Sequence, residues 1–305
     1  MKRFDLTVLG CGAAAPTPYF LTTSQLVNIH DQLILIDCGE GTQLTLRKLR
    51  AKFQKIKIVL ISHMHADHVL GLPGLIASMN LLGRKTPLEV FGPKDLEALV
   101  RRIWHSTGTH IDFDVNFHSN DESEAATIYS SESFEIISFP TKHRIPTCGF
   151  RIQEKSSSGN LKPFAKKKYN LNHLEIQMLK RGEDVLREGG ELLKAIRCCK
   201  EQQEPRSYVF AADTAYTPKV VDASKGASVL YHEATFEKKD AKIAVKTMHS
   251  TSADAGRVAR EAGVGMLILG HFSNRYRDLS VLLSEATSEF DNSMLAIEGK
   301  AITIE

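Results

Sequence analysis

The chain has 305 residues, of which 42% are apolar, 25% charged and 7% aromatic, with a formal net charge of +3. This composition belongs to an ordinary globular protein and excludes a disordered, collagen-like or disulfide-scaffold chain; the length suits one large α/β domain or two modest ones. No apolar run approaches the ~20 residues that span a bilayer, and the apolar stretch after Lys2 and Arg3 breaks at Gly10 to Gly12, too early for a secretory leader. The expected location is the cytosol.

Along the chain, Leu6 to Leu9 reads as a strand, and Leu26 to Ile29 with Leu33 to Ile36 as a hairpin about Asp31-Gln32. Thr42 to Leu49 has helical spacing, Ile56 to Ile61 is a buried-type strand, and Leu70 to Leu82 is helical with Pro73 near its start. A helical face of Leu96, Leu99, Val100 and Ile103 puts Trp104 in a core. Residues 111 to 135 hold seven acids and no Lys or Arg, which reads as a solvated loop or sheet edge. A strand follows at Phe134 to Phe139.

Residues 151 to 181 concentrate the positive charge: eight basic side chains stand against Glu154 and Glu175. The segment includes Ser156-Ser157-Ser158-Gly159-Asn160, Pro163 and the run Lys166-Lys167-Lys168-Tyr169, without long apolar periodicity. It reads as an exposed insertion, either a solvated loop or an arm for a polyanion, since clustered Lys beside aromatics suits phosphates and bases. Beyond it, strands at Tyr208 to Ala211, Val229 to Tyr231, Met266 to Leu269, Met294 to Ile297 and Ile302 to Ile304 alternate with helices at Ser252 to Ala262 and through Leu282 and Leu283. The pattern is two α/β halves with an insertion between them.

The strongest chemical signal is His63-Met64-His65-Ala66-Asp67-His68, directly after a strand. Three imidazoles and a carboxylate are the ligand types that hold zinc, and packing alone gives no reason to bring them together. His63 and His65 can turn toward one ion while Asp67 and His68 reach a second. Further candidates follow later strands: His143 after Phe134 to Phe139, Asp213 after Tyr208 to Ala211, and His271 after Met266 to Leu269. Asp37 suits either orientation of a ligand histidine or capping of the Thr42 helix. The five cysteines (Cys11, Cys38, Cys148, Cys198, Cys199) show no CxxC spacing and read as reduced thiols. No covalent nucleophile is assigned among them, and His30, His105, His110, His118, His173 and His232 read as surface or satisfied core residues.

Taken together these residues resemble the metallo-β-lactamase fold, a four-layer αββα sandwich of α/β class. Further motifs are similar to the ribonuclease Z family of tRNA 3′-end processing endonucleases: Leu9-Gly10-Cys11-Gly12 with Pro16-Thr17, Ile36-Asp37-Cys38-Gly39-Glu40-Gly41, Asp213-Thr214, His232-Glu233-Ala234-Thr235-Phe236, His249-Ser250-Thr251, and His271-Phe272-Ser273-Asn274-Arg275-Tyr276. The resemblance implies one domain over residues 1–305 with an inserted substrate-binding arm at 151–194. It implies two Zn2+ per subunit, His63, His65 and His143 on the first and Asp67, His68 and His271 on the second, with Asp213 bridging. Asp67 is also implied as proton acceptor, His249 as the group assisting the leaving oxygen, and Glu233 as the holder of its ring. Precursor tRNA is the implied substrate, met by Lys166, Lys167, Lys168 and Arg275, in a homodimer away from membranes. The Gly/Pro-rich arm motif of the commoner bacterial version is absent.

Such residues suit the reaction. Phosphodiester hydrolysis needs a nucleophile at neutral pH and relief of charge at phosphorus, which paired zinc ions supply, and a proton for the departing 3′-oxygen, which a histidine carries. One rival is a small-molecule phosphodiesterase, lactonase or thioesterase on the same fold, which needs neither the basic arm nor His249. Another is an RNA-binding protein with inert metals.

Overall fold

The computed structural model describes residues 2–121, 123–156, 159–199 and 204–305; Ser157 and Ser158 of the polar run lie outside the described residues. Along the chain the strands are β1 (Phe4–Gly10), β2 (Ser24–Ile29), β3 (Gln32–Ile36), β4 (Ile56–Leu60), β5 (Leu88–Gly92), β6 (Val115–Ser119), β7 (Ala126–Ser130), β8 (Phe134–Pro140), β9 (Cys148–Glu154), β10 (Val185–Leu186), β11 (Leu192–Leu193), β12 (Ser207–Ala211), β13 (Val229–Glu233), β14 (Met266–Gly270), β15 (Ser293–Leu295) and β16 (Ala301–Thr303). The helices are α1 (Thr42–Lys48), α2 (Ala66–Val69), α3 (Leu72–Leu81), α4 (Leu96–Ser106), α5 (Ala165–Lys168), α6 (His173–Lys180), α7 (Ala195–Cys198), α8 (Pro218–Ser224), α9 (Ala241–Thr247), α10 (Ser252–Ala262) and α11 (Ser280–Glu289).

Two compact units result. The first, Met1–Ser130, Ile136–Ile152 and Ser207–Glu305, carries two mixed seven-stranded sheets, ordered β16-β1-β2-β3-β4-β5-β6 and β15-β14-β13-β12-β9-β8-β7. Continuous apolar runs such as Ile58 to Ile61 and Tyr208 to Ala212 are buried throughout, as strands covered on both faces must be. Leu46, Leu75, Ile76, Met79, Val100 and Trp104 of α1, α3 and α4 share one buried cluster with Leu35, Val59 and Val90. On the second sheet α10 packs against β13 and β14, with α8 and α11 beside it. Tyr208 donates its hydroxyl to Gln25 of the other sheet. Helices therefore flank two facing sheets, the αββα arrangement. The acidic stretch supplies β6 and β7, the last strand of each sheet, which agrees with an edge.

The strand ends matter most for the site. Asp37 follows β3, Asp213 follows β12 and His271 follows β14 closely, and all three are left-handed, with φ of 54°, 56° and 57°. Non-glycine residues rarely adopt this conformation, and it concentrates at functional sites. β12, β13 and β14 run parallel, so their C-terminal ends share one rim. On the first sheet, Cys38 N–H donates to His68 O, and Gly71 N–H to Cys38 O, each at 2.8 Å. A Cβ on Gly39 would stand 2.2 Å from Asp67 O, and one on Gly71 2.3 Å from Gly39 O. Only glycine lets the 38–41 turn press against the backbone that presents Asp67 and His68.

The second unit comprises Ser131–Glu135 and Gln153–Arg206 and takes in the expected arm from Gln153 onward. It has a small core of its own: Ala165, Leu171, Leu179, Val185, Leu193, Ala195, Cys198 and Cys199. Asn172 and Glu175 form a capping box at the start of α6, and Arg187 joins Glu175 at 2.7 Å to the Tyr169 carbonyl at 2.7 Å. Lys166, Lys167 and Lys168 occupy α5 and are exposed.

Candidate metal centre

The His63 to His68 string divides as its position dictates. His63 and His65 lie on extended chain after β4, whereas Asp67 and His68 fall in the first turn of α2. His63 and His68 are fully buried and Asp67 is nearly so.

The later candidates close around them. His65 Nδ1 lies 2.9 Å from His63 Nε2 and 3.3 Å from His143 Nε2. Asp213 turns Oδ2 toward His63 Nε2 at 3.5 Å and His143 Nε2 at 3.6 Å. Its Oδ1 faces His271 Nε2 at 3.0 Å and His68 Nε2 at 3.3 Å. Asp67 Oδ2 stands 3.5 Å from His68 Nε2 and 3.6 Å from His271 Nε2. All seven sequence-predicted ligands are thus gathered in two sets that share Asp213.

Two observations test whether a cation fits. Ligands at about 2.0–2.1 Å from one ion in tetrahedral array stand about 3.3 Å apart, close to the spacings found. His68 Nε2, His271 Nε2 and Asp213 Oδ1 are buried without a hydrogen-bond partner among the described residues, an arrangement that is costly unless something else satisfies those lone pairs. The residues fit a metal.

Hydrogen bonds on the far side of the His63, His68, His143 and His271 rings aim the free nitrogens inward. His68 Nδ1 meets Asp37 Oδ2 at 2.7 Å, and Ser62 Oγ donates to the same oxygen at 2.8 Å while lying 3.0 Å from His63 Nδ1. The α1 N-cap is Gly41 with no side-chain cap, so Asp37 orients ligands rather than capping. His143 Nδ1 faces Met248 O at 3.0 Å, and His271 Nδ1 faces Thr235 Oγ1 at 2.9 Å. Ala14 N–H donates to Asp67 Oδ2 at 2.7 Å.

Burial pulls His63 and His143 below the ordinary imidazole value; burial with the neighbouring His63 and His143 takes His65 to about 4. These rings are neutral at pH 7 and offer lone pairs. His68 goes the other way: burial opposes its proton, but Asp213 and Asp37 outweigh burial and raise it.

His249 sits beside the cluster, its ring 4.8 Å from His143 and 5.4 Å from His271. With Asp213 and His271 it forms a further grouping within ligand range, but its Nδ1 is committed to Glu233 Oε1 at 2.9 Å. Burial disfavours its charge, yet the Glu233 carboxylate overcomes this and lifts the ring to about 9. Burial likewise pushes Glu233 up, and His249 more than reverses it. Burial drives the Cys38 thiol far above its usual range, in keeping with no nucleophilic role.

The cluster opens into a cleft of about 630 Å3 lined by His65, Asp67, Arg144, Phe236, His249 and Arg275 among others. The Arg275 guanidinium lies 5.3 Å over the Phe236 ring. Arg144, Ser62 and the Ala14 amide escaped the sequence reading, and Thr235 stood in the His232 to Phe236 motif without a role; Arg144, directly after His143, and Thr235 carried a visible signal. Lys166, Lys167 and Lys168 belong to the second unit. Of the other histidines, His232 is buried with Nδ1 on Glu233 O at 2.7 Å, and His118 pairs with Glu89 at 2.7 Å. Trp104 is buried and donates to Pro73 O, as its helical face predicts.

Fold and cluster define a protein of the metallo-β-lactamase fold with a His/Asp centre able to hold metal; the metallo-β-lactamase fold protein YhfI from Bacillus subtilis matches it with a TM-score of 0.69 at 20% identity, over 99% of each chain. Human tRNase Z, short form, matches with a TM-score of 0.72 at 25% identity, again over 99% of each chain. Ribonuclease Z of Bacteroides fragilis (strain YCH46) is 40% identical over 304 residues, covering 100% of both chains. The chain belongs to the ribonuclease Z family, and its residues 4–161 fit the family model described as Anti-Pycsar protein Apyc1.

Proposed function

We propose that this chain is a zinc-dependent endoribonuclease that removes the 3′ trailer from precursor tRNA, leaving a 3′-hydroxyl on the tRNA and a 5′-phosphate on the trailer. His63, His65 and His143 would hold one ion and Asp67, His68 and His271 a second, with Asp213 shared between the two sets, for two Zn2+ per subunit. When bound, zinc acidifies water and neutralises charge on phosphoryl oxygens.

The chain's own groups do the remaining work. Asp67, steadied by the Ala14 amide, accepts a proton. His249 gives one to the departing ribose 3′-oxygen, and Glu233 keeps that ring charged and aimed. Arg275 and Arg144 meet backbone phosphates at the cleft. Lys166, Lys167 and Lys168, in an arm at 151–194 of a single domain spanning 1–305, grip the tRNA. The same reading makes the enzyme a homodimer in the cytosol; the five free, buried cysteines support a reducing compartment.

The full-length likeness to ribonuclease Z carries this reading, and His249 agrees with it, since a small-molecule hydrolase shares every candidate ligand but has no need of that proton donor. The test is incubation with an end-labelled precursor tRNA, with and without chelator. One cut at the trailer junction is expected, abolished by chelation, restored by zinc and falling steeply with salt. Absence of that cut, or faster turnover of a small phosphodiester, overturns the proposal.

A further inference from the structure

Glu233 is fully buried, and donors surround its carboxylate. Oε1 accepts from the Thr214 backbone at 2.6 Å and from His249 Nδ1 at 2.9 Å; Oε2 accepts from the Ser250 backbone at 3.0 Å and from Thr235 Oγ1 at 2.6 Å. Four donors converge on the two oxygens, and although burial favours the neutral acid, His249 beside it holds the group below its ordinary range as an ionised carboxylate. A hydroxyl has one proton, and that of Thr235 is given to Glu233. Toward His271 Nδ1, 2.9 Å away, Thr235 Oγ1 can therefore only accept. His271 must carry its proton on Nδ1, leaving Nε2 bare, and Nε2 is the buried, unpartnered atom facing Asp213 Oδ1 at 3.0 Å.

We infer that Thr235 is a positioning residue for the second ion: its hydroxyl relays the Glu233 charge to His271 and locks that ring in the tautomer whose Nε2 lone pair faces the cluster. One carboxylate then serves two ends, steadying the proton donor His249 directly and the ligand His271 through Thr235. The first ion has a counterpart of the same design in Ser62, which donates to Asp37 and lies 3.0 Å from His63 Nδ1. Thr235 is buried at the wall of the cleft, and its hydroxyl is committed to Glu233 and His271.

The inference rests on the proposed two-ion centre, and its test measures ions rather than turnover. Metal-stripped wild type, Thr235→Val, Thr235→Ser and Ser62→Ala are titrated with Zn2+ against a chromophoric chelator. Two ions are expected in wild type. Thr235→Val should weaken one of them by roughly 10- to 100-fold and spare the other. Thr235→Ser, which keeps the hydroxyl, should restore it. Ser62→Ala should weaken the ion that Thr235→Val spares. A Thr235→Val protein that binds both ions as wild type does, or a Thr235→Ser protein as impaired as the Val variant, overturns the relay. Uptake of fewer than two ions by wild type overturns the two-ion reading instead. A long-range 1H–15N spectrum of stripped, histidine-labelled wild type gives a check independent of any variant's folding: His271 must appear as the Nδ1–H tautomer, and an Nε2–H tautomer refutes the relay.

Discussion

His249 donates its Nδ1–H to Glu233 Oε1 across 2.9 Å, and the accepting carboxylate has no exposed surface. Burial opposes charge on the imidazole, but this partner lifts the ring to about 9. Bound cations add positive charge nearby and move the value down, so the alkaline limb of kcat should lie at or below about 9. Replacing His249 by Ala should remove that limb and lower kcat by about 10²–10⁴-fold, the range for a lost general acid, with zinc content unchanged. Loss of zinc in the variant would instead make His249 a ligand.

The same pair ties stability to pH in the metal-stripped protein. The folded value of about 9 lies above the unfolded 6.5, so the folded state binds the proton more tightly. The contribution is complete below about pH 6.5 and vanishes as pH rises through about 9, with an upper bound of about 3 kcal/mol at 1.36 kcal/mol per unit. Thermal unfolding of stripped wild type and His249→Ala should therefore show a larger gap at pH 6 than at pH 9.5. A gap independent of pH would refute the linkage.

The three exposed lysines of α5 should act on binding alone. Changing Lys166, Lys167 and Lys168 to Ala should weaken precursor tRNA binding and flatten its dependence on log salt by roughly 2 to 3, since each phosphate contact contributes about 0.7–0.9 to the slope. Hydrolysis of a small phosphodiester should be unaffected. Filter binding at several salt concentrations, beside a chromogenic diester assay, separates the two; equal losses on both substrates would reject the arm assignment.

The metal candidates were legible because each follows an apolar run that becomes a strand, and strands of one sheet deliver the residues after them to one rim. His143, Asp213 and His271 obey that rule, and His63 to His68 announces itself by composition. The groups that aim those side chains were not legible. Ser62 and Thr235 are ordinary hydroxyls whose role depends on which acceptor takes their single proton, and the Ala14 amide has no side-chain signature. The second unit escaped periodicity analysis because its elements are two to eight residues long, too short to show a repeat. The first hairpin turns at His30 and Asp31, both left-handed at 50° and 65°, one residue earlier than expected, because no glycine marks the place.

Asp213 offers the sharpest single substitution. Its Oδ2 faces His63 and His143, and its Oδ1 faces His68 and His271, so one carboxylate serves both ligand sets. An amide keeps the shape but replaces one acceptor with an NH2 donor, which cannot ligate a cation and points hydrogens at bare imidazole nitrogens. Asp213→Asn should therefore retain at most one zinc per chain by elemental analysis and cleave precursor tRNA about 10³-fold more slowly, as expected if each ion supplies several kcal/mol of transition-state stabilisation. Its affinity for tRNA should stay near that of wild type, because the lysines and arginines proposed to meet phosphates are untouched. A variant that keeps both ions would show that Asp213 is not shared between them.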